Sequence, residues 1–282
     1  MNLFGWGKKD KRVTFQQDPV GFLLQDADDH IEICRKAIGL NRAQQRPDLM
    51  ARTASTALRC LLEKVALLAR SRDRQDGIKA ELERCRPFIG VLIEAVELRS
   101  GGRSAPDTFV LASRFTPAFL AAMLLNDWAL AEQLAKACAS PAVTEEGGGL
   151  LSGGVHDEEA RMAAAVVADD GASLDLVRRR FARDRREDPY FLRHFRHDVV
   201  MDLIIRRDEA AFAGEMTGHE ARFLARATDK ATAQRPLLDA CFDENRLVID
   251  VWAVALCLLA RHRGMVVDLN TVCLPLDLFG AG

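Results

Sequence analysis

The chain has 282 residues, 49% of them hydrophobic, and its 39 basic residues against 41 acidic ones leave a formal charge of −2. That length and apolar content suffice for a sizeable core and exclude disorder as the main state, while the near-neutral balance excludes a global field that recruits nucleic acid or an anionic membrane. Seven cysteines, an odd number without a CxxC pair, with Cys34, Cys60, Cys138 and Cys257 inside apolar helical runs, read as reduced core thiols of a cytoplasmic protein.

Residues 1–18 form an N-terminal arm ahead of one helical domain, 19–282. The arm's start, MNLFGWGKKDKR, lacks the apolar core and small-residue cleavage site of a secretory signal, so no export is implied. Leu3, Phe4 and Trp6 beside Lys8, Lys9 and Lys11 make one short apolar cluster, which gives only marginal membrane affinity, so a frayed or docked terminus is expected.

Beyond the arm a helical period of about 3.6 residues recurs and strand-like alternation is almost absent. The fold class is all-α, an irregular, repeat-like bundle of stacked αα-hairpins. In DLMARTASTALRCLLEKVALLARSR, Met50, Ala54, Leu58, Leu61, Val65 and Leu68 form one apolar stripe opposite Arg52, Arg59, Glu63 and Arg70, which predicts a helix packed on one face only. The next helical run, DGIKAELERCRPFIGVLIEAVELRS, contains Pro87, which removes a backbone donor and kinks or splits it. SGGRSAPD then breaks the pattern, with a subdivision near 100–106.

Capping oxygens at helix entrances recur at Thr116, Asp127, Ser173, Asp188 and Asp208. They divide the middle of the chain into αα-hairpins with tight turns around Asp127, Gly171 and Asp208, spaced too irregularly for a strict tetratricopeptide array. EEGGGLLSGGVHDEE supplies a mobile Gly-rich loop at 145–156. It has neither the lysine of a GxxxxGK[ST] phosphate loop nor a preceding strand, and glutamates flank it, so it is a surface loop and not a phosphate cradle.

From about Arg246 to Arg263 the apolar residues wrap most of the way round a helix, the mark of a buried spine centred on Trp252. Its uninterrupted apolar core, Val251 to Ala260, is far shorter than the about 20 residues that span a bilayer, so no membrane is expected. Arg261, His262 and Arg263 suit the helix C-terminus and Gly264 a left-handed cap. Asp250 falls in the first turn, where a carboxylate favours the dipole and, if buried, calls for an Arg partner.

Sites for chemistry are sparse. His194 and His197 stand three apart with Asp198 in support, but no third ligand is apparent, so no metal is expected. The run 178–197 interleaves arginines with Phe181, Tyr190 and Phe191 as nucleic-acid surfaces do, diluted by Asp184, Glu187 and Asp188. It supports an alternative reading as a helical adaptor or regulator associated with nucleic acid, although nucleic acid is not the expected partner. No GxSxG, HExxH or paired Cys/His signature appears, so neither catalysis nor a cofactor is expected.

Arg207, Asp208 and Glu209 in HDVVMDLIIRRDEAAF precede a segment containing Trp252, Ala253, Leu256, Ala260, Arg263, Gly264, Asp268, Pro275 and Leu278. Through these residues the C-terminal third resembles the immunity protein 49 family of bacterial polymorphic toxin systems. There an RDE-like turn is followed by an Ala/Leu-rich helix, an rG step, a short extended segment and a proline-led ending; Leu274 stands where members tend to carry isoleucine. The resemblance implies an all-helical cytosolic protein without enzymatic activity that binds and neutralises a toxin made by the same cell, occluding its active site or substrate-binding surface.

A toxin groove built for an anionic substrate would accept carboxylates on a preformed scaffold. Two acidic stretches qualify: Asp26, Asp28, Asp29 and Glu32 near a helix start, and Glu145, Glu146, Asp157, Glu158 and Glu159 on the Gly-rich loop and the following helix entrance. The competing reading has these carboxylates capping helices and solvating the surface. The interface is then expected on the paired-helix surface around Asp127 and Asp208.

Overall fold

In the computed structural model the first helices, α1 (Pro19–Ala43) and α2 (Pro47–Arg70), pack on each other, and α2 also meets the short α3 (Ile78–Glu83), α4 (Arg86–Ser100) and α5 (Thr116–Leu124). The structure describes residues 19–70, 75–102, 109–144, 153–185, 196–227, 249–271 and 274–279. The N-terminal arm, most of the 100–106 break, Glu145, Glu146 and the loop to 152, Asp188, Tyr190, Phe191 and His194 lie outside the described residues.

The remaining helices are α6 (Trp128–Cys138), α7 (Gly153–Val167), α8 (Gly171–Arg185), α9 (His197–Arg206), α10 (Glu209–Ala227) and α11 (Val251–His262). The all-α class is as expected. A parallel two-residue bridge, β1 (Val110–Leu111) on β2 (Val143–Thr144), is added where no alternating pattern announces it. No helix of the described residues is long and apolar enough to cross a membrane.

α2 corrects the one-face expectation. Residues 61–69 are all buried, Glu63 and Lys64 included, because helices cover α2 on several sides. The Lys64 ammonium, 5% exposed, survives there by donating to both Asp28 oxygens and to Glu81 Oε1, each at 2.8 Å, and Arg84 completes the network from α3's end. A buried cation removed from water persists only with such close carboxylates. Pro87 splits its helix as expected: α3 stops at Glu83, and α4 restarts with the proline in its first turn, where the missing N–H costs nothing.

The helix-to-helix turns at Asp127, Asp170 and Asp208 share one construction. Asn126, Asp169 and Arg207 each adopt a left-handed backbone (φ 53, 58 and 56°) and end one helix, and the aspartate that follows starts the next. Asp127 accepts the N–H of Leu130 at 3.0 Å, Asp170 that of Ser173 at 3.0 Å and Asp208 that of Ala211 at 3.1 Å. Each aspartate also returns its own N–H to the helix it leaves, at Ala122, Ala165 and Leu203. Asp127 and Asp208 are the expected caps. Ser173 is not one: the cap of α8 is Asp170, to which Ser173 donates its N–H and its hydroxyl. Thr116 opens α5 without capping it, since that cap position is Phe115.

α11 is buried from Val251 to Ala260 and packs on α5 and α9. Its stop matches expectation: Gly264 takes φ 81°, its N–H reaches Arg261 O at 2.9 Å, and Met265 N–H reaches Ala260 O at 3.0 Å. Those are the paired bonds of a left-handed helix end. At the other end Asp250 is the cap itself and not a first-turn residue, its Oδ1 accepting the N–H of Ala253 at 2.9 Å.

Cys34, Cys60, Cys85, Cys138 and Cys257 carry no disulfide. Burial pushes the thiols of Cys60, Cys138 and Cys257 up to about 12 and raises Cys34 and Cys85 too, which keeps them protonated and poorly reactive. In a thiol-reagent titration these five should react slowly in the native protein, and all seven cysteines should react at once on denaturation. Two or more disulfides in fresh protein would contradict this.

Candidate functional site

Chemistry-bearing side chains gather in two places, one sealed and one open. The sealed group lies where α7, α9, α10 and α11 meet. His219 Nε2 is 2.5 Å from Asp250 Oδ2. The His197 ring stacks on Trp252 with centroids 4.8 Å apart and faces His219 at 5.8 Å, while its Nδ1 stands 3.7 Å from Glu159 Oε1. All five residues are buried. Burial, the largest single influence on Asp250, acts upward on its carboxyl, but the His219 charge and hydrogen bond, the His197 charge and the Ala253 N–H together hold it below the usual value. The buried partner foreseen for Asp250 as arginine is therefore His219. It follows Phe212 and Met216 on the buried stripe of α10, a polar residue at apolar spacing that the sequence does display.

This seam takes Asp157, Glu158 and Glu159 out of the exposed acidic stretch, while Glu145 and Glu146 lie outside the described residues. α7 begins at Gly153, inside the expected loop 145–156, and Asp157, Glu158 and Glu159 stand on the helix as expected but are buried, not presented on the surface. The run MAAAVV that follows packs into the core and carries these turns with it. Asp157 Oδ1 accepts the N–H of Ser113 at 2.5 Å, and Glu159 faces His197. The α1 carboxylates are exposed only in part. Asp28 is engaged by Lys64 and Arg84, Asp29 accepts from Gln25 at 3.1 Å, His30 lies 3.6 Å from Asp26, and Glu32 pairs with Arg35 at 2.7 Å.

Three motif residues of the C-terminal third, Arg207, Glu209 and Arg263, tie helix ends together. Arg207 reaches Asp169 at 3.0 Å and Arg263 approaches it at 3.5 Å, so the turns after α7 and α9 and the end of α11 share one carboxylate. Arg263 also donates to the carbonyls of Val166 (3.0 Å) and Val167 (2.6 Å), and Glu209 accepts the N–H of Val266 at 3.0 Å. Arg178, from the arginine-rich run, is turned inward onto Asp202 of α9 at 3.0 Å. No group of His, Cys, Asp or Glu that could hold a metal occurs among the described residues.

The open place is a cleft of about 600 Å³ at the first hairpin turn, enclosed by α3, the α5–α6 turn, the end of α11 and the returning tail. Its volume lies within the about 300–1,000 Å³ usual for ligand pockets. Leu82, Leu124, Leu125, Leu258, Leu278 and Phe279 supply apolar surface; Lys79, Glu83, Arg261 and Asp277 supply charge. Asn126, the left-handed residue of the turn, holds the tail, its Nδ2 donating to Phe279 O at 2.6 Å. Trp128, the first residue of α6, stacks on His262 with centroids 4.2 Å apart and planes 11° from parallel. Next to the cleft, Arg86 joins Glu83 at 2.6 Å and also pairs with Asp127, fixing the turn against α4. The paired-helix surface around Asp127 thus borders a built hollow; Asp208, exposed at its own turn, does not line it.

These environments set an acid dependence. Burial and the Arg263 charge hold His262 below its ordinary 6.5 against the opposing pull of Glu132. Asp169 is lowered by Arg207, and Asp28, Asp127 and Asp250 by their partners against burial, from an ordinary 3.8. A group whose folded value is depressed contributes stability that is complete above its unfolded value and is lost as pH falls toward the folded one. Urea midpoints should therefore be level from pH 6.5 to the ordinary thiol value of 9.0, decline gently below that range, and drop steeply below pH 3.8. His262→Gln should erase the gentle decline; a stability maximum in acid would refute the assignment.

Compared with protein-family models, curated proteins and solved structures, the chain matches none.

Proposed function

We infer that the chain is an immunity protein: a cytoplasmic helical protein without catalytic activity that binds a toxin made by the same cell and neutralises it by covering its active site or substrate-binding surface. The observation that supports this reading is the cleft. It joins an apolar floor to a half-buried, stacked tryptophan on a rigid helix start, and well-packed tryptophans are the residues on which protein interfaces most often depend. Its lining contains no serine, threonine or cysteine nucleophile, and its one histidine faces an indole ring and not a carboxylate. The resemblance motif supports the same reading from another side: its Arg207, Glu209 and Arg263 hold the helix ends together, which leaves recognition to the surface they rigidify.

The test is co-purification of the chain from its native cell, identification of the partner, and assay of that partner's activity. Expected is a stoichiometric complex with a toxin whose activity falls to background on adding the chain, and whose expression cells survive only when the chain is co-expressed. A toxin that remains fully active at saturating chain, or a stable partner that is no toxin, overturns the reading. Salt-sensitive retention on nucleic acid instead would favour the adaptor alternative.

A further inference from the structure

We propose that the cleft continues over the Trp128–His262 stack into a second groove, and that the two together dock an acidic, apolar segment of a protein partner. The proposal rests on the cleft being a partner site and adds the chemistry of what enters it. The second groove, about 360 Å³, has Ala135, Ala139, Val167 and Ala168 as its floor and Glu132, Lys136 and Arg263 at its rim. Trp128, Glu132 and Lys136 stand at successive i, i+4 positions, so a single face of α6 borders both hollows. His262 and Arg263, neighbours in the chain, border them likewise from the end of α11. The stacked pair is thus the ridge between the hollows. The leucine and phenylalanine floor accepts a large apolar side chain, and the alanine floor lets a backbone approach closely.

The charges decide the sign of the segment. Glu83 is bridged by Arg86, and Asp277 already accepts from the Asn270 amide. Among the described residues, Glu132 is the rim carboxylate with neither an ion pair nor a hydrogen bond. Among the described residues no carboxylate pairs with Lys79, Lys136 or Arg261, and the Arg261 guanidinium donates only to the carbonyl of Val267, at 3.0 and 3.3 Å. His262 is held below its ordinary value, so the ridge adds no positive charge at neutral pH. Three cations with donors to spare therefore flank an apolar path. A segment that places a leucine or an aromatic ring in the cleft and carboxylates on either side satisfies both features, gaining steering on approach and charge-assisted hydrogen bonds once docked.

The probe is a random peptide library displayed on phage and selected against the full-length chain. Expected are enriched peptides in which Leu, Phe or Trp neighbours Asp or Glu. Their affinity should fall about tenfold or more for Trp128→Ala, and also for the exposed double variant Lys79→Glu/Lys136→Glu, whose thermal melt should match that of the parent. Enrichment of basic or uncharged peptides, no enrichment, or binding indifferent to both variants overturns the proposal. Retention on random duplex DNA without peptide selection overturns it in favour of a nucleic-acid surface. The selection does not involve a toxin: peptides captured here with no toxin protected against would refute the immunity reading alone, and toxin neutralisation unchanged by both variants would refute the docking site alone.

Discussion

Trp252→Ala lowers the unfolding free energy by about 3 to 5 kcal/mol, the range for truncating a buried tryptophan. The indole is 6% exposed, lies in the first turn of a helix buried on every side, and carries the His197 ring on its face. Truncation leaves a cavity where α9 and α11 meet, and it strips the apolar cover from a carboxylate and two imidazoles that are otherwise kept from water. Urea unfolding should read the loss as a lowered midpoint with little change in slope. Trp128→Ala supplies the internal control: that indole is half-buried at a surface ridge, so its loss should matter far less to stability than to binding. Equal destabilisation by the two changes would refute the assignment of one tryptophan to the core and the other to the surface.

The contrast between the tryptophans marks what the sequence makes legible. Trp252 sits in an unbroken apolar run, and such a run admits only a buried helix once its length rules out a bilayer. The helical class, the split at Pro87, the caps Asp127 and Asp208 and the Gly264 stop are equally local, each following from a residue and its immediate neighbours. The cleft is not local: α3, the α5–α6 turn, the end of α11 and the tail build it, and no window of sequence contains them together. The left-handed turn residues escape notice because Asn126, Asp169 and Arg207 stand where glycine is the usual sign. At the second turn DDGAS offers several capping oxygens in a row, and spacing alone does not rank Asp170 above Ser173. Charges mislead for a related reason. Glu63 reads as part of a solvated face because the helices that cover this part of α2 are remote in sequence, as are Asp28 and Glu81, the groups that stabilise its neighbour Lys64. Asp157, Glu158 and Glu159 read as an exposed helix entrance because the elements that cover them, around Ser113 and His197, lie far away in sequence.

His219→Leu costs about 3 to 5 kcal/mol at neutral pH, as breaking one side of a buried pair does, because it leaves a carboxylate in the core without its main partner. Asp250 and His219 are both buried, and the 2.5 Å contact between them spans α10 and the entrance of α11. The sign of its pH dependence distinguishes this from simple loss of packing. In the parent, His219 and its neighbours outweigh burial and hold the Asp250 carboxyl low. With His219 gone the upward effect of burial faces only the His197 charge and the Ala253 N–H, so the folded value rises. A group whose folded value stands above its unfolded value contributes stability below the unfolded value and loses it as pH rises. The deficit of the leucine variant should accordingly shrink as pH falls from neutrality toward the ordinary carboxylate range, whereas a packing defect would stay constant. Asp250→Asn separates the other role of this residue. Asparagine caps a helix as well as aspartate does, so it should keep the Ala253 bond and lose only the charge, and Asp250→Ala should lose both and be the least stable of the pair. A leucine variant whose deficit is the same at both pH values, or below about 1 kcal/mol, would show that the pair contributes no more than an exposed ion pair does and that the α10–α11 junction is held by its apolar packing alone.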